Sequence, residues 1–233
     1  EIPRRTRHNG TMSDTIPADP TGLRFRIESD GVSAEIAEVG ASLRALNVDG
    51  VDVVPRYPDG TSAPAASGTV LVPWPNRVAG GAWSQRGTSY QLAITEPATG
   101  NAIHGLLRFA PYRAVQQSPD AITLAATVFP QTGYPFHLET SVTYAVGDRG
   151  VTVTHDVRNV GAADAPVALG AHPYLMIAGV PTGELALHLA ADSAFAVDDR
   201  MIPVGVKPVD AANDLRGSRR VAEEMFKNHL FTP

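Results

Sequence analysis

An antiparallel all-β fold, a large sandwich or barrel, is predicted by three features of the sequence. Short runs of residues alternate between apolar and polar side chains with period two, as half-buried strands do. Turn signals such as Asp-Gly separate those runs at short, regular intervals. Helical periodicity is almost absent. About a dozen strands joined by turns leave no domain boundary, and no fixed-period repeat points to a propeller.

In order along the chain, residues 24–28 and 32–39 alternate on either side of Asp30-Gly31, a hairpin signal. Residues 42–48 and 51–54 form a second pair around Asp49-Gly50, so the first sixty residues read as a meander. Residues 57–68 are rich in Pro, Ala, Ser and Gly and read as a loop. Residues 81–83 and 89–94 flank Gln85-Arg86-Gly87 as a short hairpin, and 112–116 and 121–128 flank Ser118-Pro119-Asp120. Residues 137–146 and 151–159 alternate cleanly. Shorter strands are expected at 167–169, 184–189 and 193–197, and one helical segment at 219–226. Residues 1–20 are expected to form a flexible N-terminal segment, and residues 21–233 a single β domain. Met12-Ser13 reads as a native start, and residues 1–11 as added or upstream sequence.

Composition narrows the function. The chain has 233 residues, 43% of them hydrophobic and 18% charged, which suits a folded domain with a substantial core. A net charge of −5 without a dense basic run argues against nucleic acid as the main partner. With no Cys, disulfides, thiolate catalysis and Cys-ligated zinc are excluded, which fits a cytoplasmic protein. No apolar run approaches the ~20 residues needed for a membrane-spanning helix, so no membrane partner is expected.

Three segments concentrate chemistry. The first is Val72-Pro73-Trp74-Pro75-Asn76-Arg77-Val78-Ala79-Gly80-Gly81, the second Asn101-Ala102-Ile103-His104-Gly105-Leu106-Leu107-Arg108, the third Gly170-Ala171-His172-Pro173-Tyr174. An Arg after Asn is ordinarily a surface residue, but here two prolines stiffen the backbone that carries Arg77. A lone His in a β protein is more often structural than catalytic. His172 stands out because the following Pro holds its backbone extended and Tyr174 adds a second polar aromatic surface. Aromatic face, planar cation and imidazole together suit a sugar, which has an apolar face and a rim of hydroxyls. His137 and His155 lie in alternating strands and read as structural or surface positions. No His-x-His or His-x₃₋₅-His pair argues for a metal, and neither a phosphate loop nor Gly-x-Ser-x-Gly occurs.

Taken in order, the three segments resemble the motifs of the aldose 1-epimerase (galactose mutarotase) family. Val72 to Val78 followed by Gly80 looks like its first sugar-binding motif, Ile103-His104-Gly105-Leu106 its second, and Gly170 to Tyr174 its third. Gly133-Tyr134-Pro135-Phe136 and Asn159 also fall where the family has similar residues. The resemblance covers roughly residues 23–231. It implies a large antiparallel β-sandwich of the galactose mutarotase type and an enzyme that interconverts the α and β anomers of a free hexose. A carboxylate takes the proton of the C1 hydroxyl, a histidine protonates the ring oxygen, C1–C2 rotates in the open form, and closure gives the other anomer. The matching positions make His172 the general acid and His104 a hydrogen-bonding partner near the ring oxygen. Arg77, Asn76, Trp74 and Tyr174 become substrate-binding residues. Imidazole, with an unperturbed pKa of ~6.5, can give and regain a proton near neutrality, as a reaction running both ways requires. Neither a metal nor an organic cofactor is implied, and the expected partner is a small-molecule sugar; oligomeric state cannot be read.

The family's base is a Glu on a strand near the C-terminus, and no residue of this chain matches it. The last strands are therefore expected to be missing. The family's substrate-binding Asp, in a short Asp-x-x-Phe segment, aligns with Asn228 in Asn228-His229-Leu230-Phe231. Two alternatives stay open: a non-catalytic carbohydrate-binding module on the same fold, and a hexose-6-phosphate 1-epimerase, for which Arg108 is one candidate phosphate ligand.

Overall fold

The computed structural model describes residues 19–148 and 150–221, together with the backbone of 230–232. It is built from two four-stranded antiparallel sheets and several short two- and three-stranded ribbons. The first sheet is the expected meander, β1 (Arg24–Ser29), β2 (Val32–Ala37), β3 (Ser42–Val48) and β4 (Val51–Val54), in spatial order 1-2-3-4. Asp30-Gly31 and Asp49-Gly50 form its turns with both residues at positive φ, the backbone that two-residue hairpins of matching twist require.

Between the sheets run the short elements that carry the motifs. These are β5 (Val70–Leu71), β6 (Arg77–Val78), β7 (Ala82–Gln85), β8 (Thr88–Gln91) and β9 (Ala102–Ile103). The second large sheet follows as β10 (Arg113–Gln117), β11 (Ala121–Val128), β12 (Leu138–Gly147) and β13 (Gly150–Asn159), again in sequence order. The last elements are β14 (Gly170–Ala171), β15 (Ala186–Leu187), β16 (Ser193–Val197), β17 (Pro203–Pro208), β18 (Arg219–Arg220) and β19 (Leu230–Thr232).

The two large sheets face one another as a sandwich. Alternation along each strand sends one set of side chains inward. Ile27, Val32, Ala34 and Ile36 from the first sheet meet Ile122, Leu124, Leu138, Val142 and Tyr144 from the second. The Tyr144 hydroxyl, deep in this layer, donates to the Ala41 carbonyl at 2.7 Å, so the phenol brings a partner for its polar end. From β13 onward the inward packing thins. Val167, Leu169, Leu175 and Ile177 are exposed, as is every residue of β17. Among the described residues no helix is long and apolar enough to cross a membrane.

Several expectations from the sequence change here. The helix expected at 219–226 is not formed at its start, where Arg219 and Arg220 pair as β18 with Leu187 and Ala186; residues 222–229 lie outside the described residues. The strand expected at 167–169 is displaced to Gly170–Ala171, and that expected at 184–189 shrinks to two residues behind a 3₁₀ turn, Thr182–Glu184. Residues 203–208, unassigned from sequence, form β17 against β16. Most of the N-terminal segment, residues 1–18, and the substrate position proposed at Asn228 lie outside the described residues.

Candidate active site

The extended segment 68–73 is a seam to which all three motifs are stitched. On one side β14 pairs with β5, Gly170 opposite Leu71 and Ala171 opposite Val70. Two backbone bonds extend this ladder: the His172 N–H donates to Thr69 O at 3.1 Å and the Gly68 N–H to His172 O at 2.8 Å. On the other side the N–H groups of Leu106 and Leu107 both reach the Val72 carbonyl, at 2.7 and 3.3 Å. Gly105 is needed for that approach. It sits at φ +70°, and a Cβ there would lie 2.1 Å from the Val72 carbonyl oxygen.

The first and second motifs are joined directly as well. β6 pairs with β9, placing Arg77 opposite Ile103. One step further the ladder ends in a reciprocal clamp. The His104 N–H donates to Asn76 O at 2.9 Å, and the Asn76 N–H donates to His104 Nδ1 at 3.2 Å. Both residues are left-handed, at φ 56° for Asn76 and 64° for His104, a backbone that Asn and His tolerate better than most side chains.

The clamp assigns the imidazole tautomer. With Nδ1 accepting, the neutral ring carries its proton on Nε2, which is left as a donor. Burial pushes the His104 pKa down to about 4, helped by the charges of His172, Arg108 and Arg77, with Glu96 opposing. At neutral pH His104 is therefore an uncharged hydrogen-bond donor.

His172 faces it edge-on, ring centroids 5.2 Å apart and planes at 85°. Tyr174 stacks on His172 at 5.4 Å and remains exposed. Arg77 completes the group: its Nη1 donates to Asn76 Oδ1 at 3.3 Å, and its Nε and Nη2 grip the two oxygens of Glu96, each at 2.7 Å. The structure thus assembles His104, His172, Asn76, Arg77 and Tyr174 from three separate parts of the chain. Arg108 lies next to this group, its guanidinium over the Phe109 ring at 4.7 Å and bonded to Thr95 O at 3.3 Å.

Trp74 behaves differently. Its ring turns towards Tyr134, centroids 6.2 Å apart, and lines a neighbouring apolar recess of about 260 Å³ with Trp83, Leu92, Tyr134 and Val167. Its Nε1 has no partner there. His155 and His137 lie apart from the site: His155 sits in β13 opposite Val142, and His137 stacks on Phe129. Sequence reasoning missed Glu96, because an acidic residue before a Pro in a turn reads as solvated; only its place between the first two motifs marks it. Among the described residues no group of three or more His, Asp or Glu is arranged to hold a metal ion.

Comparison with known proteins places this geometry in a lineage. The Escherichia coli K12 protein YihR, described as uncharacterized, is 37% identical over 193 residues, which is 82% of this chain and 62% of YihR. A second uncharacterized protein of that organism, YphB, is 31% identical over 104 residues, 45% of this chain and 35% of its own length. The chain therefore spans about three fifths or less of the length of these relatives. Among solved structures, a GalM/aldose epimerase homologue from C. elegans superposes with a TM-score of 0.75 at 23% identity, covering 88% of this chain and 67% of the other. Galactose 1-epimerase from Lactobacillus acidophilus NCFM gives 0.73 at 20% identity, with coverage of 88% and 64%. Both share the fold of this chain. A sequence model of the aldose 1-epimerase family matches residues 24–232, across all three motifs and both sheets, and the chain belongs to that family.

Proposed function

We propose that this site binds a free hexose, such as galactose or glucose, and that the protein is an aldose 1-epimerase interconverting its anomers. The observation that carries this reading is the His104–His172 pair, 5.2 Å apart and edge-on, beside an anchored arginine. The two imidazoles are unequal, which suits a division of labour. A ring with a pKa of about 4 is protonated in roughly one molecule in a thousand at neutral pH, so His104 serves as a hydrogen-bond donor through Nε2–H. The acid role falls to His172.

In the forward direction a carboxylate removes the C1 hydroxyl proton, the C1–O5 bond breaks as the C1 carbonyl forms, and O5 takes the proton of His172. Rotation about C1–C2 and the reverse transfers give the other anomer and restore both groups. The chemistry is general acid–base catalysis, worth typically 10²–10⁴-fold for each group.

One observation favours a second reading, sugar binding without turnover. Among the described residues the carboxylate acting on His104 is Glu96, and it is committed to Arg77 and Thr99. Those bonds, Arg77's foremost, hold its carboxyl below the ordinary range, which makes it a poor base.

The test is the anomeric interconversion of freshly dissolved α-D-galactose and α-D-glucose, followed by polarimetry and by NMR exchange at equilibrium. Acceleration over buffer in proportion to protein supports the epimerase reading and requires a base within the protein assayed. Sugar-dependent shifts of the His104 and His172 resonances without acceleration favour the binding reading. Absence of both removes the sugar assignment.

A further inference from the structure

Arg77 does not face the site as a free fork. Its Nε hydrogen and one Nη2 hydrogen are spent side-on on Glu96, at 2.7 Å each, and both side chains are largely buried. Three N–H groups remain, and one of those on Nη1 is directed at Asn76 Oδ1. The guanidinium is thus oriented from behind, its charge is compensated, and the donors it has left are one N–H on Nη1 and one on Nη2.

Glu96 is itself held. The Thr99 hydroxyl donates to its Oε2, and the N–H groups of Gly100 and Asn101 close the turn onto its carbonyl at 3.0 and 3.3 Å. Asn101, wholly buried, locks that turn in place. Its Oδ1 accepts the Gly80 N–H at 3.1 Å, and its Nδ2 donates to Thr99 Oγ1 at 3.0 Å and to Arg200 O at 2.9 Å. From the β16–β17 turn, Arg200 reaches back with Nε to Thr99 O at 2.9 Å and with Nη2 to Gly100 O at 2.7 Å. This bonded turn, anchored on the buried Asn101, has one visible product, a fixed carboxylate behind Arg77.

We propose that Glu96 is a positioning residue. It fixes Arg77 so that the arginine meets the substrate through its remaining Nη1 and Nη2 hydrogens, as a charge-compensated donor suited to a sugar hydroxyl rather than to an anionic group. This deepens the sugar-binding reading above and rests on it.

A double-mutant cycle on the full chain tests it, with D-galactose as the probe and NMR shifts of the His104 and His172 resonances as the binding readout. In the unmodified protein the Arg77 Nε–H signal is expected to exchange slowly with solvent. Glu96→Gln is expected to abolish that protection and to weaken galactose binding about tenfold or more. In an Arg77→Ala background the same change is expected to have no further effect, because Glu96 acts through Arg77 alone. Equal losses in both backgrounds, or a Glu96→Gln protein that binds as the unmodified one does, overturns the proposal while the sugar site stands. If Glu96→Gln does not fold, Thr99→Val, which removes one bond to the carboxylate, is expected to show a smaller loss with the same dependence on Arg77; a Thr99→Val loss independent of Arg77 overturns it. A protein that binds no galactose at all overturns the sugar reading itself, and this role with it.

Discussion

Replacing Gly105 by Ala strikes the point where the seam and the second motif meet. A Cβ at this position would lie 2.1 Å from the Val72 carbonyl oxygen and 2.4 Å from its carbon, both backbone atoms that no rotamer change can move. Ordinary contact needs more than an ångström beyond this, so the 72–73 and 105–107 segments must separate. Three costs combine. An Ala at φ +70° loses about 1 kcal/mol relative to Gly, overpacking costs about 1–3 kcal/mol, and stretching the Leu106 N–H bond to Val72 adds about 1 kcal/mol. The expected loss is therefore about 3–5 kcal/mol. Gly50→Ala is the internal control: Gly50 sits at φ +82° with no atom within 4 Å, so it carries the conformational cost alone, about 1 kcal/mol. Urea unfolding followed by Trp fluorescence measures both variants against the unmodified chain. Equal losses for the two would show that the close approach at Val72 does not matter and would refute the stitching argument.

Other perturbations probe other links. His172→Ala is expected to lower turnover by about 10²-fold or more with a smaller effect on KM, because the acid acts in the transition state; steady-state polarimetry that finds only a raised KM removes His172 from that role. His104 has its pKa held at about 4 against an ordinary 6.5, so the unfolded chain takes up a proton before the native one does. Its contribution to stability is complete above pH 6.5, falls as the pH drops from 6.5 to about 4, and is constant below. Solvent screening of the half-buried ring reduces its size to about 1–2 kcal/mol. Comparing unfolding midpoints of the unmodified chain and His104→Asn at pH 7 and pH 4.5 isolates this term, which is absent if the two chains lose stability in parallel. Tyr144→Phe strips the Ala41 carbonyl of a buried donor and is expected to cost about 1–2 kcal/mol in a denaturation experiment, with little effect on sugar binding.

Much of the sandwich could be read from the sequence because its long strands are buried on one face only. β11 and β12 alternate in burial as their residues alternate in polarity, and the Asp-Gly turns of the first sheet carry their own backbone requirement. What could not be read depends on partners distant in sequence. Two-residue strands such as β14 have no period to detect and exist only because Leu71 and Val70 lie opposite. β17 begins and ends on Pro, which argues against a strand until β16 is seen beside it. Arg219 and Arg220 sit in a helix-compatible context but are claimed by β15, where pairing overrides propensity. In the site, the residues that come together were legible from motif order, while their environment was not. The neutrality of His104 follows from burial first and from its neighbours His172, Arg108 and Arg77, and the commitment of Arg77 follows from Glu96, nineteen positions away.

The reciprocal clamp between Asn76 and His104 determines how substitutions there should be interpreted. Position 104 carries two obligations at once, a ring whose Nδ1 accepts from Asn76 and so keeps Nε2–H as the proposed sugar donor, and a backbone that turns left-handed. A β-branched residue such as Val fails the second and registers as misfolding. Asn meets the second and fails only the first, so it is the replacement whose phenotype speaks of chemistry. Anyone transplanting this motif to another scaffold inherits the same condition. The receiving loop must already bend the way residue 104 bends, or the imidazole arrives without its tautomer.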